Sequence, residues 1–213
     1  MLLITGTPRS GTTLLAAFCK MMGHDPGGDY KRETNRGLEE GFARVALDQL
    51  KRRNLEACDL IIDRYDRSVF KQPHFLDCGR PEFLERWAGK KSELRVLILL
   101  RDPRQLAISL SENASLFNEW GSVDITETKY RHLSEMFLEA VRKLDLPHEV
   151  LRFPEFLTAY DQVELLLTSF AGLRLKPKPE AMPQFGVTYE DGDTPRRVWE
   201  KWIEPTRVRH VRS

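Results

Sequence analysis

The sequence has no run of about 18 apolar residues, which excludes a membrane-spanning helix, and it has no signal-peptide pattern. A first strand starting at Met1 or Leu2 leaves no room for an N-terminal anchor, so a cytoplasmic protein is expected. Cysteine is scarce: Cys19, Cys58 and Cys78 are the three present. An odd, scattered set without a close pair or metal-ligand spacing reads as reduced thiols, neither a disulfide framework nor a zinc site. Excess charge of one sign is also lacking, with 33 basic against 32 acidic residues and a net charge of +1. That excludes a surface built as a whole for nucleic acid. There is no internal repeat and no low-complexity tract. What remains is a chain of 213 residues, 41% hydrophobic and 31% charged. It has ample length for one core. One domain over 1–213 is expected, with a less regular segment at 174–213.

One stretch organises the rest: residues 1–13, MLLITGTPRSGTT. An apolar run at 1–4 leads into a loop bounded by Gly6 and Gly11, and helix-forming composition follows at 14–22. Strand, glycine-bounded loop and helix is the arrangement of a phosphate-binding loop. The glycines let successive N–H groups converge on one anion, and the helix N-terminus adds its positive dipole. Thr12 and Thr13 offer hydroxyls to the same oxygens. The nucleotide-hydrolase pattern G-x-x-x-x-G-K-[ST] is kept in spacing but not in chemistry. Thr12 stands where the lysine belongs, and Arg9 is the cation inside the loop. Such a site is poorly suited to ATP or GTP hydrolysis but suits an anion that needs a fork of N–H donors.

The remaining chain alternates strands and helices. Residues 23–37 are polar and glycine-rich and read as a long loop carrying Asp29, Lys31, Arg32, Glu33 and Arg36. Helical spacing resumes at 38–53. A short buried strand is expected at 59–63 (DLIID) and another at 68–71 (SVFK). A helix over 81–89 has Pro81 in its first turn. The run 94–100 (LRVLILL) is the clearest strand, apolar enough to be covered on both faces, and helices follow at 103–116 and 126–144. A strand at 149–153 precedes a helix at 154–173. Lys176-Pro177-Lys178-Pro179 is an extended linker, and Thr194-Pro195 caps a helix over 196–203. This order predicts an α/β fold, a P-loop NTPase-like three-layer sandwich with a mainly parallel sheet flanked by helices.

Ligands of such sheets sit at the carboxyl ends of the strands. Three strand ends carry suitable groups: the loop itself, Lys71 followed by His74, and Arg101 with Ser109 two helical turns beyond it. These residues resemble the sulfotransferases that use 3′-phosphoadenosine 5′-phosphosulfate (PAPS). Pro8-Arg9-Ser10-Gly11-Thr12-Thr13 is similar to the family's P-[KR]-S-G-T-T loop, which holds the 5′-phosphosulfate. Arg101-Asp102-Pro103 with Ser109 resembles its 3′-phosphate site, and Lys71-Gln72-Pro73 resembles the K-x-P segment of bacterial members. Residues 150–157 (VLRFPEFL) look like the later Y-E-D-L segment, with two departures: Phe153 replaces the tyrosine and Pro154 precedes Glu155. The resemblance implies a sulfuryl transfer from PAPS to a hydroxyl by in-line displacement, without an obligatory metal.

The resemblance also assigns roles. Arg9 stabilises charge on the leaving oxygen, and Lys71 is a second cation. The base that an acceptor hydroxyl needs is Glu33, by similarity to the tyrosylprotein sulfotransferases. His74 is its rival by similarity to the cytosolic members, and Glu40 is third. Arg196 and Arg197 match basic residues that close over the 3′-phosphate, although a solvated helix face explains them equally well. Asn113, the 113–125 segment, the 23–37 loop and the tail would build the acceptor pocket. The acceptor stays open among carbohydrate, peptide, lipid and small alcoholic or phenolic molecules, and so does the oligomeric state. A small-molecule P-loop kinase and a non-catalytic nucleotide-binding module are the competing readings.

Overall fold

The computed structural model describes residues 1–7, 9–26, 49, 52–65, 67–71, 81–111 and 122–206. Among the described residues, four strands form one parallel sheet: β1 (Leu2–Gly6), β2 (Val69–Lys71), β3 (Arg95–Arg101) and β4 (His148–Phe153), in the order β2-β1-β3-β4. The described helices are α1 (Thr12–Met21), α2 (Leu55–Asp63), α3 (Pro81–Lys90), α4 (Pro103–Ser111), α5 (Val123–Lys143), α6 (Tyr160–Leu165) and α7 (Pro195–Trp202).

Alternation along each strand sorts the core into two layers. Leu2, Ile4, Val69, Leu97, Leu99, Leu151 and Phe153 face α1, α6 and α7. Leu3, Phe70, Val96 and Ile98 face α2, α3 and α5, where Phe70 stacks on Trp87 at 4.4 Å between ring centroids. Both faces of the sheet are covered, which is why β3 reads as an unbroken apolar run. The result is the expected three-layer α/β sandwich.

Two local expectations fail. Residues 59–63 are helical, the C-terminal half of α2, not a strand. Asn54 caps that helix by accepting from the Ala57 N–H at 3.3 Å. Cys58 and Ile62, four residues apart, are its buried pair, a helical spacing hidden inside the apolar run. The expected helix at 154–173 is also broken. A 3-10 turn at Glu155–Thr158 comes first, then α6, then a π-type turn at Leu166–Phe170. The Leu157 carbonyl accepts from the Trp199 indole N–H at 2.9 Å, and Ala159 adopts a non-helical φ of −109°. Tertiary hydrogen bonding replaces the continuous helix there.

The tail is built into the core. The Lys178 and Lys176 N–H groups donate to Met21 and Met22 at the end of α1, at 2.8 and 3.4 Å. This holds the linker extended, as its alternating prolines predict. Met182, Phe185 and Val187 then pack on the α1 face. Thr194 caps α7 by accepting from the Arg197 N–H at 3.2 Å, with Pro195 in the first turn, as expected. The expected helix at 38–53 and loop at 23–37 lie largely outside the described residues, as do Cys78 and the end of the 103–116 helix. Cys19 and Cys58 are buried thiols. No helix among the described residues is long and apolar enough to cross a membrane.

Gly6 of β1 faces the β3 backbone with no room for a side chain. A Cβ there would stand 1.9 Å from the Leu99 carbonyl oxygen. Gly6→Ala is therefore expected to cost on the order of 3 kcal/mol or more in urea unfolding, because backbone must give way. A loss below about 1 kcal/mol would show that the strands can part at that point.

Candidate functional site

The carboxyl ends of the four strands line up at one edge. The β1–β3 register pairs Gly6 with Leu99, the β1–β2 register pairs Ile4 with Lys71, and the β3–β4 register pairs Arg101 with Phe153. The loop from β1 thus begins between the end of β2 and the end of β3.

Three contacts tie the loop to β3. The Thr7 N–H donates to the Leu99 carbonyl at 3.0 Å. The Thr7 hydroxyl oxygen accepts from the Arg101 N–H at 3.2 Å, and the Arg101 guanidinium donates to the Arg9 carbonyl at 3.4 Å. Within the loop, the buried Ser10 hydroxyl donates to the Thr7 carbonyl at 2.5 Å. Arg9 has a φ of 59° and Gly11 a φ of 85°. Two left-handed residues so close together curl the chain sharply into α1. Arg9, not being glycine, carries strain of about 1 kcal/mol or more for its position. Its side chain is exposed.

Gly11 is the N-cap of α1, and among the described residues no side chain makes a capping hydrogen bond there. The first turn carries no acidic residue. No described carboxylate or hydroxyl thus neutralises its N–H groups and partial positive charge. Thr12 is buried and Thr13 half-buried beside them. Gly11 is fixed by space as well as by its φ. A Cβ would lie 2.8 Å from the Phe156 ring and 3.0 Å from that of Phe153. The same Phe153 ring lies under Arg101, with the guanidinium carbon 5.2 Å from its centroid. Arg101 itself is 9% exposed.

Two further candidates lie on the adjoining elements. Lys71, the last residue of β2, is 2% exposed. Ser109 is buried on α4, the helix that leaves Arg101 directly. Asp102 starts α4 by accepting from the Gln105 N–H at 2.9 Å, so its carboxylate serves as a helix cap.

Arg196 and Arg197 are engaged elsewhere. Arg196 pairs with Asp161 and stacks over the Tyr160 ring at 4.7 Å. Arg197 reaches Glu190 at 3.1 Å and Asp193 at 3.5 Å. Asp193 also receives Lys201 at 3.0 Å and the Glu190 N–H at 2.9 Å. Pro8, Glu33, Glu40 and His74 lie outside the described residues, as does most of 113–125. Sequence reading gives Thr7, Phe153 and Phe156 no role in the site beyond membership of the loop and of the 150–157 segment. The pairing of Phe153 with Arg101 depends on β4 lying beside β3, which neither motif reveals alone. Among the described residues, no three His, Cys, Asp or Glu side chains converge to hold a metal.

No family model matches the chain, and no curated protein matches it. Among solved structures, it is similar to the sulfotransferase domain from the curacin biosynthetic pathway. The TM-score is 0.59 at 17% identity, covering 93% of this chain and 82% of that one. It is also similar to the sulfotransferase domain from the Synechococcus PCC 7002 olefin synthase. There the TM-score is 0.58 at 18% identity, covering 100% of this chain and 87% of that one. At these identities the likeness is one of fold: the chain has the fold of sulfotransferase domains.

The Asp193 cluster carries a pH signature. Burial pushes its carboxyl up, but the Glu190 N–H and the cations of Lys201 and Arg197 outweigh this and hold it below the ordinary 3.8. A depressed folded value stabilises above the unfolded pKa and is lost as pH falls through the folded one. Asp193→Asn should therefore lower the melting temperature at neutral pH, and the gap from the parent should narrow as the pH falls below the ordinary carboxylate value. A gap unchanged across that range would show that the carboxylate charge does not hold the tail.

Proposed function

We propose that this protein transfers a sulfuryl group from PAPS to a hydroxyl acceptor by in-line displacement, acting as a single sulfotransferase domain. The observation that carries the reading is the joined pair of cationic features at the sheet edge. The uncapped start of α1, entered through Arg9 and Gly11, is hydrogen-bonded to Arg101 through the Arg9 carbonyl. A donor with anionic groups at both ends needs two such features, set apart but fixed relative to each other. The shared fold supports the reading.

In this reading the α1 N-terminus, Ser10, Thr12 and Thr13 hold the 5′-phosphosulfate, together with Pro8. Arg101 and Ser109 hold the 3′-phosphate, with Arg196 and Arg197 joining once they leave their present carboxylate partners. Arg9, exposed at the loop tip, stabilises charge developing on the leaving oxygen. Lys71 supplies a second cation. The acceptor hydroxyl loses its proton to Glu33, His74 or Glu40. The transferred group carries less charge than a phosphoryl group, so the mechanism has no step that calls for a metal. A cytoplasmic location fits the need for such a donor.

The test is calorimetric titration with adenosine 3′,5′-bisphosphate (PAP) beside adenosine 5′-phosphosulfate and ATP–Mg²⁺. Micromolar PAP binding that weakens at least roughly tenfold without the 3′-phosphate is the expected result. A preference for ATP–Mg²⁺ would replace the reading with a kinase, and PAP binding without turnover on a broad acceptor panel would leave a binding module. Arg9→Ala should lower turnover roughly a hundred- to a thousandfold while PAP binding falls far less. Equal losses in both would reduce Arg9 to a binding residue.

A further inference from the structure

The tail closes the C-terminal end of α1 with main chain. The Met21 carbonyl accepts the Lys178 N–H at 2.8 Å, and the Met22 carbonyl accepts the Lys176 N–H at 3.4 Å. The Lys20 and Cys19 carbonyls accept the N–H groups of Gly23 and His24 at 3.1 and 2.9 Å. The carbonyls of a helix end often draw in lysine side chains, but backbone donors serve here. His24 pins the same join. One ring nitrogen lies 3.0 Å from the Arg174 carbonyl oxygen, and the other 3.1 Å from the Ser68 hydroxyl just before β2.

What this leaves is a row of cations. Leu175 and Pro177 are half-buried, while Arg174, Lys176 and Lys178 are exposed. Alternate residues of an extended chain share a side and stand about 7 Å apart. The Lys178 stem crosses Gly23, whose φ is 92°, and a Cβ at Gly23 would stand 3.1 Å from the Lys178 Cε. These residues, with His24 and Glu180, line a cavity of about 380 Å³. No described carboxylate pairs with Arg174, Lys176 or Lys178. The later tail cations are held, by contrast: Arg196 by Asp161, Arg197 by Glu190 and Lys201 by Asp193. Asp25, next to His24, is held by Arg67 and Lys20.

We propose that this cavity is a second anion site, for a compact multivalent oxyanion of the phosphate or sulfate type. It is separate from the donor loop. The two ends of α1, a helix of 10 residues, stand about 15 Å apart, and the cavity lies at the end away from the loop. Three like charges carried at set intervals on a hydrogen-bonded backbone repel one another, and an anion with several oxygens relieves that repulsion. It also offers acceptors to more than one donor at once. Each exposed pair contributes little alone, so the valence of the ligand decides the affinity. Glu180, at the Lys178 end, repels a chain of charges that runs on past the row, which favours a compact ligand over a polymer.

The inference stands apart from the sulfotransferase reading, and so does its test. Inorganic triphosphate, sulfate and a short thymidine oligonucleotide are titrated calorimetrically at low salt. The site is removed by Lys176→Gln with Lys178→Gln, or by Arg174→Gln with Lys176→Gln should the first pair fail to fold. The control, Arg142→Gln with Lys143→Gln, removes equal charge from exposed positions at the end of α5. Triphosphate is expected to bind the parent with a Kd of about 0.05–1 mM. The tail variant should weaken it at least roughly tenfold and the control less than about twofold. Sulfate should bind at least roughly tenfold more weakly than triphosphate, and Glu180→Gln should tighten triphosphate about twofold. Triphosphate held by the donor loop survives the tail variant, so only the tail-dependent part counts. No tail-dependent binding, or equal losses in the tail variant and the control, overturns the site. Oligonucleotide binding more than about tenfold tighter than triphosphate overturns the compact ligand. Titration of the tail variant with PAP reports on the donor site separately, with an affinity expected within about twofold of the parent.

Discussion

The lack of room for a side chain at Gly6, where β1 ends against β3, is the constraint on which the site depends. With only a hydrogen between the Gly6 Cα and the Leu99 carbonyl, the two backbones lie in contact where β1 ends. Thr7 then continues the pairing by one hydrogen bond to Leu99, and its hydroxyl turns to the Arg101 N–H. The end of β3 and the start of the loop are thereby fixed to each other through main-chain and near-main-chain bonds, not through long side chains. The Arg101-to-Arg9 contact follows from that closeness. A larger residue at position 6 would separate the strands and move both cations at once.

A second constraint arrives from the α1 face. Phe153 and Phe156 crowd Gly11, Phe156 meets Trp199 edge-on at 6.3 Å, and Trp199 meets Phe18 of α1 at 4.9 Å. The aromatic chain therefore runs from the loop, through the 3-10 turn after β4, to α7 and back to α1. Protein interiors transmit such contacts with little slack. The Trp199 indole bond to Leu157 fixes the turn that carries Phe156. The Asp193 cluster fixes the start of α7 in turn. The irregular tail is thus part of what holds the start of α1 in shape, although it carries none of the loop's residues.

The sequence made the central features legible because local chemistry dictates them. Gly6 and Gly11 announce a curled loop, the apolar run at 94–100 announces a doubly covered strand, and Thr194-Pro195 announces a cap. Each depends on neighbours within a few residues. The failures have the opposite character. Residues 59–63 look like a buried strand because five residues are too few to separate a period of 2 from one of 3.6. The pair that settles it, Cys58 and Ile62, is visible only once the helix is known to begin at Leu55. The break after Pro154 comes from Trp199, some forty residues away, taking the Leu157 carbonyl. Likewise the motifs name Arg101 and Arg9 separately, but the ring that joins their surroundings belongs to β4, and only the strand order brings it there. Arg196 and Arg197 look available in sequence because Asp161, Glu190 and Asp193 meet them only through the turn geometry of the tail.

The two arginines of the site differ in a way that suits two different electrostatic tasks. Arg101 is almost fully buried, set on an aromatic face and bonded to the loop, so its reorganisation is small. Such a group best complements charge that is the same before and after reaction, because it need not follow anything. Arg9 is exposed, at the tip of a loop whose backbone is held in a left-handed conformation. The strained backbone is fixed by the curl of the loop, and the long side chain lies exposed to solvent. In the proposed reaction the 3′-phosphate is the constant charge, and the bridging oxygen at the 5′ end is the changing one. A fixed cation at the first serves binding, and the exposed one at the second can act on the changing charge only once a bound donor orders its side chain, because electrostatic stabilisation of a transition state depends on preorganised groups.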